Sequence, residues 1–381
     1  MKNSKIDKKL LLKDQFFNQE KVTLLSNELH GAYPQFKKSE FVHDVIAKFP
    51  ELELKARISH ITKCLKKYLP NEYREAIAVI LKALPKPNNP ELLDNDFGDF
   101  IYAPYADFVA HYGCTKENLS FSLKALREMT TRFSAEDAIR YFINVFPKET
   151  MKELQAWSKD VHYHVRRLCS EGTRPKLPWA QKINIPITAA LPILDNLFSD
   201  RTRFVTRSVA NHINDISKIE PDLAISTLAK WEKSGKQKSK EMEYIIRHSL
   251  RTLVKYGNPK ALNLLGIHHQ PKINISQLQV SKKVVLNTNL EFSFLIKADE
   301  DTTIVADYIL HFQNKSGKLN SKKVFKLKKF TLGKGKSATL SKKHPLRQFM
   351  TTRTIYPGKH CIEIQINGNI LAKKSFEVIE K

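Results

Sequence analysis

The chain has 381 residues, with 64 Lys and Arg against 39 Asp and Glu, a formal net charge of +25. That length suggests two or three domains, and an apolar fraction of 41% supports a sizeable core and excludes a disordered chain. No apolar run approaches the length that spans a bilayer, and the charged stretch Met1–Asp14 lacks the apolar centre of a signal peptide.

A cytoplasmic protein is therefore expected. Cys64, Cys114, Cys169 and Cys361 lie far apart without a CxxC pair. This argues against structural zinc or a disulfide framework and for reduced, mostly buried thiols. The excess of cations predicts a polyanionic partner, since neutralised phosphates release condensed counterions. The alternative is a basic protein from a lysine-rich proteome.

Residues 1–267 are predicted to be helical. Apolar side chains recur at helical spacing over Val42–Ile46, Ala56–Leu69 and Tyr73–Leu84. Breaks fall at Leu69-Pro70-Asn71, Pro85-Lys86-Pro87 and Gly257-Asn258-Pro259. Arg127, Arg167, Arg207 and Arg247 then recur every forty residues in similar apolar settings, and Asp160 and Asp200 each precede an arginine by seven. Such a period fits HEAT or armadillo-like helix pairs stacked into a curved solenoid.

Strand-like alternation begins near residue 268, over Gln279–Leu286, Glu291–Ile296, Thr303–Phe312, Lys322–Phe330, His360–Ile366 and Lys374–Ile379. With turns at Asn367-Gly368 and Pro357-Gly358, about seven short strands in residues 268–381 suggest an immunoglobulin-like sandwich. Tyr356 is a candidate tyrosine corner. This segment, under a third of the chain, holds about half of the net positive charge. Its lysines gather in two expected loops. One is Asn314–Lys323, with Lys318 and Lys322; the other is Gly333–Lys336 continuing to Lys342–His344, with Lys334 and Lys336. They are candidate phosphate contacts, or simply solubilising charge.

The arginine stripe carries exceptions. Glu171 stands four residues after Arg167, Asn211 four after Arg207, and Asp215 one turn further. Glu136 lies in Thr131–Arg140, where a loop should enter a helix. A carboxylate facing DNA is electrostatically unfavourable, so Glu136, Glu171 and Asp215 are candidates for chemistry: stabilising a cationic sugar or positioning a water. The alternative is structural pairing with neighbouring arginines. Trp179, in the stiff basic loop Arg174–Trp179, could stack on a nucleotide, whereas Trp157 and Trp231 suit the core. There is no P-loop, GxGxxG, GxSxG or HExxH motif. No cofactor and no metal are expected.

Four stretches, Leu52–Ile58, Thr131–Arg140, Val165–Trp179 and Val209–Asp215, resemble the AlkC branch of the bacterial AlkC/AlkD alkylpurine DNA glycosylases. The resemblance covers nearly the whole chain, including a helical-repeat body followed by an immunoglobulin-like domain. It implies hydrolysis of the N-glycosidic bond of cationic bases, 3-methyladenine and 3-methylcytosine, in double-stranded DNA and without base flipping. It further implies a catalytic cluster of Glu136, Glu171 and Asp215, the last two stabilising the sugar cation or orienting water, with Asn211 or Asp200 as alternatives for the role of Asp215. Trp179 and Asn211 would contact the lesion nucleotide, and Arg140, Arg167, Arg174, Arg207, Arg247 and Arg251 would hold phosphates. A monomer without metal or membrane partner is expected. The competing readings are a non-catalytic helical-repeat protein that binds nucleic acid, and a scaffold for an acidic protein.

Overall fold

The computed structural model describes residues 11–91, 97–350 and 353–380. Most of the charged Met1–Asp14 stretch lies outside them. Helices run from Leu12 to Leu264, and strands from Ile273 to Ile379. Among the described residues no helix is long and apolar enough to cross a membrane.

The predicted helices form where the apolar stripe recurs. Helix Leu54–Tyr68 buries Ile61, Cys64 and Leu65, and helix Tyr73–Ala83 buries Ala76, Ile77, Ile80 and Ala83. Between them Leu69 is extended (φ −85°, ψ 166°), because Pro70 pushes the preceding residue out of the helical region. Trp157 and Trp231 lie in the core, and the Trp231 Nε1–H donates to Asp195 at 2.6 Å.

The forty-residue period has a physical cause. Asp160 accepts the His162 amide at 2.8 Å and the Arg127 Nε–H at 2.7 Å. Asp200 repeats the arrangement with the Thr202 amide at 2.8 Å and Arg166 at 2.5 Å. Each aspartate thus caps the turn into its own helix and ties down an arginine of the helix pair before. The counterpart of Arg127 is Arg166, one residue short of the Arg167 that the spacing suggests. Arg167 is thereby left to face elsewhere.

By packing, the chain forms two compact units, one running to Ile216 with Trp231–Ile245, the other Ser217–Lys230 with Ile246–Lys381. The expected boundary at 267/268 marks the change from helix to strand, not the change of unit. Within the second unit the strands are β1 (Ile273–Val280), β2 (Lys283–Val285), β3 (Asn289–Ala298), β4 (Thr302–Gln313) and β5 (Leu319–Leu332). They continue as β6 (Ser337–Pro345), β7 (Phe349–Met350), β8 (Arg353–Thr354), β9 (Gly358–Ile366) and β10 (Asn369–Ile379). One sheet has the order β1-β3-β6 and the other β2-β10-β9-β4-β5, with β7-β8 a small hairpin. All pairs are antiparallel except β10 with β2.

Both principal sheets feed one core: Phe292, Phe294 and Ile296 of β3, Leu340 of β6, Ile304 and Tyr308 of β4, and Ile362 and Ile364 of β9. β4 is buried on both faces, since Val305 packs on Leu262 and Ile267 of the preceding helical segment. Several strand expectations need correction. The stretch 279–286 is broken into β1 and β2, and β6 is a strand where a loop is expected. Lys322 and Lys323, expected both at the end of a lysine-rich loop and at the start of the strand Lys322–Phe330, lie in β5 as the strand expectation has it, and Lys342 and Lys343 lie in β6, where Lys343 pairs with Glu291 across the ladder at 2.7 Å. Lysine-rich sequence resembles a loop, but an edge or half-exposed strand also tolerates lysine on its solvent side. At Tyr356 the backbone carbonyl accepts from the His360 ring at 2.9 Å, where a tyrosine corner would use the hydroxyl.

The Asn367-Gly368 turn is the expected two-residue hairpin, with φ of 45° and 86°. It is not a solvated tip. Asn367 is fully buried; its amide donates to His268 and Thr303 carbonyls at 2.8 and 3.0 Å, and its Oδ1 accepts the Val305 amide at 2.7 Å. Gly368 presses on Gly257, so that a Cβ on Gly368 would stand 2.1 Å from the Gly257 Cα. Gly317 has a similar φ of 82° and open space around it. Gly317→Ala should cost only backbone strain, about 1 kcal/mol. Gly368→Ala should cost at least ~2 kcal/mol more through the clash. Denaturant midpoints of the two variants check this; equal shifts would argue against a tight contact.

Candidate active site

Helix Tyr163–Gly172 carries Arg167 and Glu171 on one face, and Arg174 follows its last turn. Helix Arg203–Ser217 carries Ser208 and Asp215, two turns apart and so on one side. The turn ahead of helix Ile139–Val145 supplies Ser134 and Glu136.

These elements bring the three predicted carboxylates together, alternating with two arginines. Arg167 donates to Glu136 Oε2 at 2.7 Å and lies 3.8 Å from Glu171 Oε2. Arg174 donates to Glu171 Oε1 at 2.6 Å and, through Nε, to Asp215 Oδ2 at 2.9 Å. Hydroxyls complete the set: Ser208 donates to Glu171 at 2.6 Å and Ser134 to Glu136 at 2.7 Å. The Arg167 guanidinium is stacked on the Phe204 ring at 4.5 Å and approaches Phe97 at 5.6 Å. Burial pushes the Glu171 carboxyl up, but Arg167, Arg174 and the Ser208 hydroxyl outweigh it and hold the group below its ordinary value. Glu171 is therefore an anion at neutral pH, flanked by the Arg167 and Arg174 guanidiniums, with the Arg140 guanidinium close enough to act on Glu136 and Glu171 as well. Asp215 is 1% exposed and Glu171 5%. The Glu136 side chain is 29% exposed, and its bonds from Ser134 and Arg167 fall on the same oxygen.

The expected phosphate contacts divide. Arg140 is 1% exposed and donates to the carbonyls of Gln181, Gly172 and Arg174, at 2.6, 2.9 and 2.9 Å. A guanidinium committed to buried carbonyls cannot hold a phosphate, so Arg140 is an anchor for the 172–181 segment. Arg167 and Arg174 also turn inward, as buried partners of the carboxylates. The structural pairing that the sequence left open is present. Arg207 and Asn211 are half-buried on helix Arg203–Ser217. Arg247 and Arg251 are exposed and belong to the second unit, apart from Arg247's neighbours up to Ile245, as do the exposed Lys318, Lys322, Lys334 and Lys336.

Trp179 is 82% exposed. It follows Pro178 in the turn Leu177–Ala180, closed by the Ala180 amide on the Leu177 carbonyl, and has a φ of +61°. Proline second and positive φ third is the type II pattern, where glycine is usual. A tryptophan there costs about 1–3 kcal/mol. Beside it opens a cavity of about 290 Å³, bordered by Glu136, Asp137, Phe100, Phe133, Tyr141 and Trp179. Sequence reasoning gives no role to Ser134, Ser208, Phe97 or Lys55, although Ser134 and Lys55 lie in the stretches Thr131–Arg140 and Leu52–Ile58. Ser208 shares a face with Asp215 and could have been found by helical spacing; the other three reach the cluster from separate parts of the chain.

His212 sits behind the cluster, its Nδ1 3.0 Å from the Ser170 carbonyl. Burial pushes its pKa down from 6.5 to about 4, so the folded ring stays neutral. As pH falls below 6.5 the unfolded chain takes up a proton that the folded chain refuses until about pH 4. Stability should therefore fall across that window, by about 3 kcal/mol from this group alone. His212→Asn should flatten the dependence of the denaturation midpoint on pH between these limits. An unchanged slope would show that the ring is protonated in the fold.

A family model described as "Uncharacterised protein YhaZ, C-terminal Ig-like domain" matches residues 274–380. The protein YhaZ of Bacillus subtilis (strain 168) is 31% identical over 369 residues, covering 96% of this chain and 98% of the relative. Among solved structures, Pseudomonas fluorescens alkylpurine DNA glycosylase AlkC, bound to DNA containing an abasic site analog, superimposes with a TM-score of 0.86 at 32% identity. That likeness covers 97% of this chain and all of AlkC. With a helical-repeat body, an immunoglobulin-like C-terminal domain and full-length similarity to both proteins, the chain belongs to the AlkC-like family.

Proposed function

We propose that this protein is a DNA repair glycosylase that releases 3-methyladenine and 3-methylcytosine from alkylated double-stranded DNA, without first flipping the base. The observation that carries the reading is the cluster of three carboxylates, Glu136, Glu171 and Asp215, with Glu136 reaching the surface beside Trp179. The similarity to AlkC supports the same class of reaction.

A methylated base is already cationic. When the N-glycosidic bond breaks, its electrons leave with the base, which becomes neutral and needs no general acid. Positive charge moves to the sugar as an oxocarbenium-like centre, and water then adds to C1′ and gives up a proton. Glu136 faces that sugar and orients the water, while Glu171 and Asp215 supply negative potential from behind. Arg167 and Arg174 fix the carboxylates rather than the DNA. Trp179 and Asn211 contact the lesion nucleotide. Arg207, Arg247, Arg251 and the lysines Lys318, Lys322, Lys334 and Lys336 meet the phosphate backbone. The protein acts in the cytoplasm as a monomer, without cofactor or metal.

The pairing of all three carboxylates with arginines, two of them buried, also favours a second reading, a non-catalytic DNA-binding relative in which these groups only hold the fold. Release of methylated bases from alkylated DNA separates the two. The wild type should release base, and Glu136→Gln should lose roughly 10²-fold or more in rate while keeping DNA affinity. No release of either methylated base by the wild type would leave only the binding reading. A separate measurement tests the β-domain. Because the sandwich packs within the same unit as residues 246–267, point changes are preferable to truncation. Replacing Lys318, Lys322, Lys334 and Lys336 by alanine should flatten the salt dependence of DNA affinity, by about 0.9 in the log–log slope for each phosphate no longer neutralised. An unchanged slope would remove these lysines from the interface.

A further inference from the structure

Trp179 combines 82% exposure, a positive φ, and a cavity immediately beside it whose wall is mostly apolar, with Lys55, Asp107, Glu136 and Asp137 as its charged members. An indole at the rim of a space lined by Leu54, Ile58, Phe100, Phe133 and Tyr141 should turn inward and bury itself, unless something opposes it. The opposing group is Lys55. From the first turn of helix Leu54–Tyr68 its Nζ donates to the Trp179 carbonyl at 2.5 Å and to Asp137 at 2.7 Å. Lysine has three donors on a compact ammonium, so one side chain can hold both acceptors. Asp137 is next to Glu136, so the same ammonium links the strained turn to the segment carrying the accessible carboxylate.

We propose that Lys55 is a positioning residue. It holds the Leu177–Ala180 turn in its left-handed form and so presents the Trp179 indole outward instead of letting it fall into the cavity. Lys55 touches no reacting atom and acts through Trp179. The pair is half-exposed, with side chains 54% and 44% accessible for Lys55 and Asp137, so it contributes little to global stability. Its effect is local, on which of two places the indole occupies. The consequence for excision rests on the glycosylase reading; the effect on the indole does not.

Tryptophan fluorescence tests the two separately. Trp157 and Trp231 are 7% and 2% exposed, so acrylamide quenching in the full-length protein reports Trp179, and Trp179→Phe gives the background. In Lys55→Met and Lys55→Gln the quenching constant should fall about twofold or more, with emission shifted to the blue as the indole enters the apolar cavity. Lys55→Arg, which keeps a charged donor, should restore the wild-type value. With methylated DNA, kcat should fall roughly tenfold in the Met and Gln variants while KM stays near wild type, as expected for misplacement rather than weakened binding. Wild-type quenching in both the Met and Gln variants would overturn the proposal, as would failure of Arg to restore it. Reduced excision with unchanged quenching would mean that Lys55 contacts DNA itself, which also overturns it. Changed quenching in a protein with no excision activity would leave the proposal standing and remove the glycosylase reading instead.

Discussion

Two arginines placed between three carboxylates constrain the helical unit more than any other feature. A buried charge is tolerated only when it is paired, and removing one partner of such a pair costs about 3–5 kcal/mol. Arg167 and Arg174 must therefore stay within hydrogen-bond reach of groups from the turn at 134–136, from their own helix and its end, and from helix Arg203–Ser217. Apolar packing is non-directional, whereas the alternating charges fix which residues of these segments face one another. The same constraint gathers three carboxylates in one place and leaves one of them, Glu136, partly exposed.

The consequences reach outward. Arg140, with its guanidinium on three backbone carbonyls, anchors the start and end of the loop containing Trp179. The Asp160 and Asp200 caps set the phase between successive helix pairs, which decides that Arg166 faces the neighbouring pair while Arg167 faces the carboxylates. A rigid scaffold thus carries a strained turn and an accessible carboxylate side by side. Function placed on loops held by rigid elements is the usual division of labour in repeat proteins.

The second unit follows a different rule. Its hairpin turn Asn367-Gly368 is buried, and the Asn367 amide satisfies backbone groups of three other residues. Such a turn joins the sandwich to the helical segment ahead of it, supported by Val305 on Leu262 and Ile267. The lysines Lys318, Lys322, Lys334 and Lys336, on β5 and in the turns beside it, remain exposed and keep their hydration.

By itself the sequence determined the order of helices then strands, the helical repeat, the isolated thiols, and the identity of the residues that gather in the cluster. These follow from local rules: apolar period, proline and glycine breaks, and residues four apart on one helix face. Glu171 and Asp215 were legible as candidates in that way, as was the Asn367-Gly368 turn; that Glu136 joins them was implied by the family resemblance and not by spacing. Only the tertiary structure decided what each charge does. Arg140, Arg167 and Arg174 look like phosphate contacts in a basic chain, yet they turn inward, because their partners come from segments tens of residues away. Lys342 and Lys343 look like loop residues until β3 pairs with them. Lys55 lies in the Leu52–Ile58 stretch that carries the family resemblance, but nothing there shows its partner, since Trp179 is brought close only by the stacking of helix pairs. Periodicity reports which face of an element is apolar; it cannot report which distant charge will be waiting opposite a polar one.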